Sequence, residues 1–549
     1  MAAESEIHHR PRFGAAERFA PLGEWALVML IFFVVGGAPP PDVNETHYLA
    51  KSRHYWDQSY CPGDAFFDSA DAHVLFCWTF GRLAAWLPLD VSAWICRLAA
   101  WALLAAGWTA LIRRTAPWLG AVPLSAALLA WLVDQANFAG EWVIGGAEGK
   151  PFAYAFAWLA LAAVVRGRWT TAWILLGAAS AWHVLVGGWA TLAVAFVWAT
   201  DATAQRPPLR SMAWGLAIGG SLALVGLAPA LALERGSSDV ERAAAAQIYV
   251  FERLPHHLAP LTLPTAELLK KSLRFAALTL AWAAVWRLAT RERTSLPLED
   301  YRPISQLMRF AAASLLMFAT GLAIETALSS RPDLAALGLR YYWFRLADVA
   351  VPMAASGGLA FLVGRWLKDV RYAAGVGLAA VMIVLGGRHL FITSAQRLQR
   401  PWPPADRRVS DLGAWKAACF WIRDHAAADA LCFIPRNHQS FKWYAERGDV
   451  GNWKDVPQNA RSVTQWFARC RDLYRPPADW SDVDIAMVNW PSQLPVARVR
   501  ELAQQYGFQF VVTRSGDDVT LPCVYCNDYY SVYWTPPPPA SPRPRSPQP

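Results

Sequence analysis

The stretch PPPDVNETHYLAKSRHYWDQSYCPGDAFFDSADAH, residues 39–73, concentrates chemistry-bearing side chains. Asp42, Glu45, His47, Asp57, Asp64, Asp68, Asp71 and His73 lie close together just past an apolar run. A carboxylate held at such a boundary serves as a general base or as an oxygen ligand for a hard cation. Glu45 is the first catalytic candidate, because Pro41 ends the apolar segment only a few residues earlier. Partial burial would raise its pKa above the model value of about 4.3 and strengthen it as a base. Asn44 and His47 flank it and are candidates for orienting substrate or tuning charge. Asp64, beside Gly63, is the reserve candidate. The bland alternative is a solvated acidic loop. Asn44-Glu45-Thr46 matches a glycosylation sequon, but it stands too close to the apolar run for a modifying enzyme.

Three further segments carry charge next to apolar runs. In EWVIGGAEGKPFAYAFAW, Glu148 and Lys150 open a hydrophobic helix; ionisable groups at that depth face a cavity or a partner. His183 breaks two apolar runs. RLPHHLAP supplies Arg253, His256 and His257 as phosphate contacts. LGLRYYWFRLADVAVP supplies Arg340, Tyr341, Tyr342 and Arg345, since guanidinium forks onto phosphate and aromatic faces stack on sugars. Arg345 and Asp348 are spaced to pair on one helix face. A single anion site requires these two segments to converge. Lys442, Arg447 and Lys454, in FKWYAERGDVGNWK, are expected to face the cavity or the acceptor.

Those residues need a frame. The chain has 549 residues, 55% hydrophobic and 17% charged, against about 25% charged in soluble proteins. A membrane span takes roughly 20 apolar residues. Eleven such runs, several of them short, occur at 24–40, 91–112, 117–134, 152–166, 169–182, 184–200, 211–234, 272–290, 306–328, 346–366 and 372–389. Arg113-Arg114, Arg166, Arg206, Arg291 and Arg365 follow alternate runs, and Arg10, Arg12 and Arg18 precede the first. The positive-inside tendency puts these on the cytoplasmic side. Segments 41–73, 135–151, 235–271 and 329–345 then face outward, provided that 73–88 lies as a helix on the outer surface.

The predicted fold class is an α-helical polytopic membrane bundle with an extracytoplasmic C-terminal α/β domain. Residues 1–23 read as a cytoplasmic segment, 24–390 as the bundle, 405–535 as the soluble domain and 536–549 as a disordered Pro-rich tail. Helices are expected at 413–424 and 496–506, and strands at 430–435 and 508–513. The net charge of +9 reflects the cytoplasmic loops, and nothing in the spacing supports nucleic-acid binding. Cys523 and Cys526 are the one close cysteine pair, and spacing leaves open whether they form a disulfide.

An acid just after the first span, an outer loop with surface helices, many short helices and an outward C-terminal domain resemble the GT-C superfamily of membrane glycosyltransferases. The blocks NETHYL, GGAEGKPFAYA, HVLVGGWA, RLPHHLAP, RYYWFRLAD and FKWYAERGDVGNWKDVPQ are similar to a family of bacterial membrane proteins with a C-terminal domain of unknown function. The GT-C resemblance implies a bacterial inner-membrane enzyme that moves a sugar from a polyprenyl-phosphate-linked donor to an acceptor at the outer face. It carries the acid of that superfamily onto Glu45. The paired acids of that pattern are here Asn44-Glu45, so a divalent metal is neither required nor excluded. The acceptor and sugar are unspecified. Alternatives are a transporter or flippase of lipid-linked saccharides, or a membrane-anchored non-catalytic outer domain.

Overall fold

The computed structural model describes residues 15–202, 206–475 and 487–535, with side chains from Phe19 onward. Arg10, Arg12, the side chain of Arg18 and the Pro-rich tail lie outside the described residues. Eleven helices fall on the eleven apolar runs: Ala15–Gly36, Leu89–Thr115, Ala121–Ala136, Gly149–Val164, Trp169–Trp182, Val184–Thr200, Leu209–Ala232, Thr265–Arg291, Leu298–Ala327, Ala347–Trp366 and Tyr372–Gln399. Six of them, by length and composition, can cross a membrane. Burial sorts these six. The best apolar window of Ala347–Trp366 is 89% buried, whereas those of Leu209–Ala232 and Tyr372–Gln399 are 17% buried. One therefore stands at the centre, and the other two expose apolar side chains such as Ile218, Ile383, Val384 and Phe391. Water would not tolerate that much exposed apolar surface, whereas lipid is its matched solvent. The protein is an integral membrane protein.

At one end of the bundle, ion pairs tie together the loops read as cytoplasmic. Arg113 meets Glu24 at 2.6 Å, Arg302 meets Asp201 at 2.7 Å and Arg371 meets Glu292 at 2.5 Å. At the other end the first loop folds into two helices. Glu45–Trp56 packs against a helical stretch, Val74–Trp86, whose middle is a π-turn at Cys77–Gly81. Segment 73–88 is thus a helix lying on the first loop.

The C-terminal region carries a five-stranded mixed sheet. Its strands are β1 (Leu431–Phe433), β2 (Gly448–Asp449), β3 (Phe510–Arg514), β4 (Cys523–Cys526) and β5 (Tyr530–Trp534), in the order β2-β1-β3-β5-β4. β1 runs parallel to β2 and β3, and β5 runs antiparallel to β3 and β4. Helix Leu412–His425 buries Trp415, Ala418, Cys419 and Ile422, one stripe of its surface. Asp411 caps it by accepting from the Ala414 N–H at 2.7 Å. Tyr60, Cys61, Phe66 and Phe67 of the first loop share one core with Trp415, Phe441 and Trp443. The Tyr60 hydroxyl donates to the Lys442 carbonyl at 2.7 Å. The C-terminal region is therefore seated on the first loop. Cys523 and Cys526 are free and exposed on the edge strand β4.

Candidate functional site

Glu45 opens its helix, yet its side chain turns into the bundle and is fully buried. Arg97, eight residues or about 12 Å into helix Leu89–Thr115, meets it in a bidentate fork. Nε lies 2.6 Å from Oε1 and one terminal nitrogen 2.6 Å from Oε2. The backbone N–H groups of Ala147 and Asp42 fill the remaining acceptor positions at 2.7 and 2.6 Å. Gly146 makes room for this, because a Cβ there would lie 2.6 Å from Asp42 Cβ and 3.1 Å from Glu45 Cγ. Glu45 therefore has no lone pair left for an acceptor proton. The reading of it as a free, half-buried base is corrected: it is the counter-ion of a buried arginine, as an intramembrane charge demands.

Asp64 is also occupied. It accepts from the N–H groups of Phe66, Phe67 and Asp449 and pairs with Lys442 at 3.1 Å. Lys442 is nearly fully buried and gathers Asp64, Asp449 at 3.5 Å and Asp455 at 2.6 Å. Burial works against its charge, but the three carboxylates outweigh burial and raise its pKa. Burial alone would raise Asp455 as well, yet Lys442 and His47 hold it at about 2. Asp449 goes the other way, pushed by burial to about 7 despite Lys442. Lys442 thus locks the domain to the first loop rather than facing a cavity. Arg447 likewise donates to the carbonyls of Arg423 and Ala426, closing the end of helix Leu412–His425. His47, packed on Phe66, faces this cluster with Nδ1 3.7 Å from Asp455.

The open chemistry lies beside these locked groups. Lys454 of the soluble region reaches down to donate to Asn44 Oδ1 at 2.8 Å, and Asn44 Nδ2 donates to Glu148 Oε2 at 2.8 Å. Glu148 Oε1 lies 3.3 Å from Lys150 and is buried without a hydrogen-bond partner. Lys150 continues to Glu141 at 2.8 Å, and Glu141 to Arg345 at 2.6 Å. Arg345 covers the Tyr342 ring at 3.8 Å and donates to His183 Nε2 at 3.3 Å. The chain of contacts from Lys454 to His183 is unbroken.

Asp348 does not pair with Arg345. It accepts from the N–H groups of Phe138, Ala139 and Glu141 and so shapes the loop that presents Glu141. Gly140 turns that loop at a φ of 69°, where any other residue would be strained.

The segments 253–257 and 340–345 do converge. The Tyr249 and Tyr342 hydroxyls lie 2.8 Å apart, and the rings of His257 and Tyr342 are 6.3 Å apart. Arg253 lies beside these groups, which together with Asn44, Glu141, Glu148, Lys150, Arg345 and Lys454 are called the chamber. Among the described residues it has no carboxylate partner; its guanidinium reaches only the Lys454 carbonyl at 3.5 Å, and its Nε is unpaired. Burial depresses its pKa. Burial, with Arg253, lowers His256 to about 4, so it is neutral at pH 7; His257 is lowered too and pairs with the Ala139 carbonyl. Arg340 and Tyr341 are drawn elsewhere: Arg340 pairs with Glu234 at 3.1 Å and covers Tyr341, which is exposed. Four cations, Lys150, Arg253, Arg345 and Lys454, thus gather around the carboxylates Glu141 and Glu148, with Asp455 acting on Arg253 and Lys454 from further off. Burial, with Arg253 nearby, lowers Lys454 to about 8.

Sequence reasoning missed Arg97, Glu141 and Tyr249. Arg97 had a signal, being a lone charge inside an apolar run. Asp42, one of the first-loop acids, has its pKa raised by burial and by Glu45. Among the described residues no group of three His, Cys, Asp or Glu side chains is arranged to hold a metal ion.

The model of a domain of unknown function (DUF6798) matches residues 413–473, from the first helix of the soluble region through helix Ala460–Tyr474. A search of curated proteins finds no match. Among solved structures, the chain is similar to ArnT from Cupriavidus metallidurans bound to undecaprenyl phosphate, with 13% identity, 95% of this chain and 98% of that chain covered, and a TM-score of 0.45. ArnT in the apo state gives 14% identity, the same coverage and a TM-score of 0.36. The chain is also similar to the Archaeoglobus fulgidus oligosaccharyltransferase in complex with zinc and sulfate, with 12% identity, 89% of this chain and 68% of that chain covered, and a TM-score of 0.44.

Proposed function

We propose that the protein is a membrane glycosyltransferase of GT-C type. It moves a sugar from a polyprenyl-phosphate-linked donor to a hydroxyl acceptor at the extracytoplasmic face, with eleven spans and a cytoplasmic N-terminus. The observation that carries this reading is the unmatched positive charge of the chamber, above all Arg253. A half-buried cation that stands among other cations with no carboxylate in direct contact is costly. An anion of one or two negative charges that enters during turnover, such as a lipid phosphate, answers that cost. The chamber sits between the outer helix ends and the soluble region, the level at which a lipid headgroup stands.

In this reading Arg253, Arg345 and Lys454 hold the donor phosphate. The acceptor oxygen attacks the anomeric carbon, the bond from that carbon to phosphate oxygen breaks, and the polyprenyl phosphate leaves with the electron pair. Charge-assisted contacts to the departing oxygen stabilise it. Glu148 takes the acceptor proton, because Oε1 is the chamber carboxylate oxygen farthest from full pairing. Asn44, itself held by Lys454, fixes Glu148 Oε2, and Lys150 stands 3.3 Å from Oε1. A positioned base contributes about 10²–10⁴ in rate.

The test is release of free polyprenyl phosphate from a polyprenyl-phosphate sugar by protein reconstituted in liposomes. Glu148→Gln is expected to cut release by about 10²–10⁴ while donor binding persists. Release at the normal rate in Glu148→Gln contradicts its assigned role. Failure of the unaltered protein to bind any polyprenyl phosphate contradicts the whole reading.

A further inference from the structure

The segment Asp449–Asp455 is a partition. Lys454 points to the donor chamber, whereas Asp449, Asn452 and Asp455 line a separate cleft on its other side. The opposite wall is helix Ala460–Tyr474, whose Ser462, Gln465, Trp466 and Arg469 are spaced i, i+3, i+4 and i+7 and so form one face. Asp64 and Phe66 of the first loop close the end. The enclosed part measures about 50 Å³ and opens to solvent, enough for one or two hydroxyl groups while the rest of a ligand lies on the rim.

The chemistry of the walls names the ligand class. Asn452 is 1% exposed; its Oδ1 accepts from the Lys454 N–H at 2.8 Å, and its Nδ2 has no partner. Asp449 Oδ2 has no hydrogen bond and faces Lys442 only at 3.5 Å. An unpaired buried donor and an incompletely paired buried acceptor lining one cleft are a cost that an incoming group bearing both functions removes. A hydroxyl is such a group. The Trp466 indole, held by its N–H to the Asn452 carbonyl at 3.0 Å, adds an aromatic wall of the kind that packs on the apolar faces of sugars. With its pKa near 7, Asp449 accepts or donates as the ligand requires.

We propose that this cleft binds the hydroxyl-bearing edge of a carbohydrate, holding the acceptor of transfer next to the donor chamber. Only the word acceptor rests on the proposed function; carbohydrate binding stands on the cleft itself.

The experiment is saturation-transfer NMR on the full chain in detergent, without donor. The probes are the methyl glycosides of glucose, galactose, mannose, N-acetylglucosamine and arabinose. At least one is expected to bind, and Asn452→Ala to weaken it about tenfold, the loss of one hydrogen bond. The paired surface change Ser462→Ala/Gln465→Ala, which leaves the helix core untouched, is expected to weaken it by a similar factor. Arg253→Met is expected to leave glycoside binding unchanged while polyprenyl phosphate binding falls. No response from any glycoside up to about 50 mM, or equal binding in both cleft variants, overturns the proposal. Glycoside binding that persists when polyprenyl phosphate binding is absent from the unaltered protein supports the cleft and sinks the transferase reading instead.

Discussion

Replacing Glu45 with Gln separates a structural carboxylate from a catalytic one. Four donors converge on that carboxylate: two from Arg97 and one each from the Asp42 and Ala147 N–H groups. An amide keeps the shape but turns one oxygen into an NH₂ group that faces donors, and it leaves Arg97 buried without a counter-ion. Breaking a buried pair from one side costs about 3–5 kcal/mol. Glu45→Gln should therefore lower unfolding stability by roughly that amount, measured by chemical unfolding in detergent with tryptophan fluorescence. The double variant Glu45→Gln/Arg97→Met removes the orphaned charge and should recover much of the loss, because the two changes are strongly coupled. Donor binding and turnover should recover with stability. A Glu45→Gln protein of normal stability but without turnover would refute this reasoning and return the base role to Glu45.

The chamber and the buried domain cluster carry further expectations. Arg345→Lys should weaken polyprenyl phosphate binding about tenfold, since the planar fork and the Tyr342 face contact are both lost. Lys454 titrates near 8, well below the ordinary lysine range, so its charge is lost as pH rises through that value. Polyprenyl phosphate binding, followed by native mass spectrometry or calorimetry, should fall between pH 7 and 9, and Lys454→Arg should remove the fall. For Asp449, burial raises the folded-state pKa from 3.8 to about 7. The folded state then binds more protons than the unfolded state between those values, so stability declines as pH rises from about 4 to 7. Asp449→Asn should flatten that decline in thermal unfolding of the full chain; an unchanged slope would contradict the assignment.

Much of the bundle was legible because lipid imposes one rule, and long apolar runs answer it. Helices stand where runs such as 211–234 and 346–366 lie, and a surface helix occupies the Arg82-containing stretch. Helix Val496–Tyr506 was readable from its amphipathic spacing. The short strand β2 was not, because its residues are set by a pairing partner elsewhere in the chain. The chamber was readable in part. Arg253 and Arg345 announce themselves as charges beside apolar runs, and so do Glu148 and Lys150. What each carboxylate pairs with is a tertiary fact. Glu45 lies 52 residues from Arg97, and Asp64 lies 378 residues from Lys442. No local pattern reports such pairings, which is why the most conspicuous acid in the sequence proved to be the most occupied. The same limit misplaced Asp348, whose i+3 spacing from Arg345 suggested a pair, while three backbone N–H groups of the 138–141 loop claimed it.

The central claim is that the chamber between the bundle and the soluble region is a lipid-phosphate site completed from both sides. Native mass spectrometry of the purified chain with undecaprenyl phosphate, comparing the unaltered protein with Arg253→Met, tests it most directly. Arg253 has no carboxylate partner among the described residues, so removing it breaks no ion pair, and Met keeps the volume that packs near Trp453. The account predicts one bound lipid per chain and a loss of about ten- to a hundredfold in affinity, the worth of one charge-assisted contact. Equal affinity in the two proteins would contradict it.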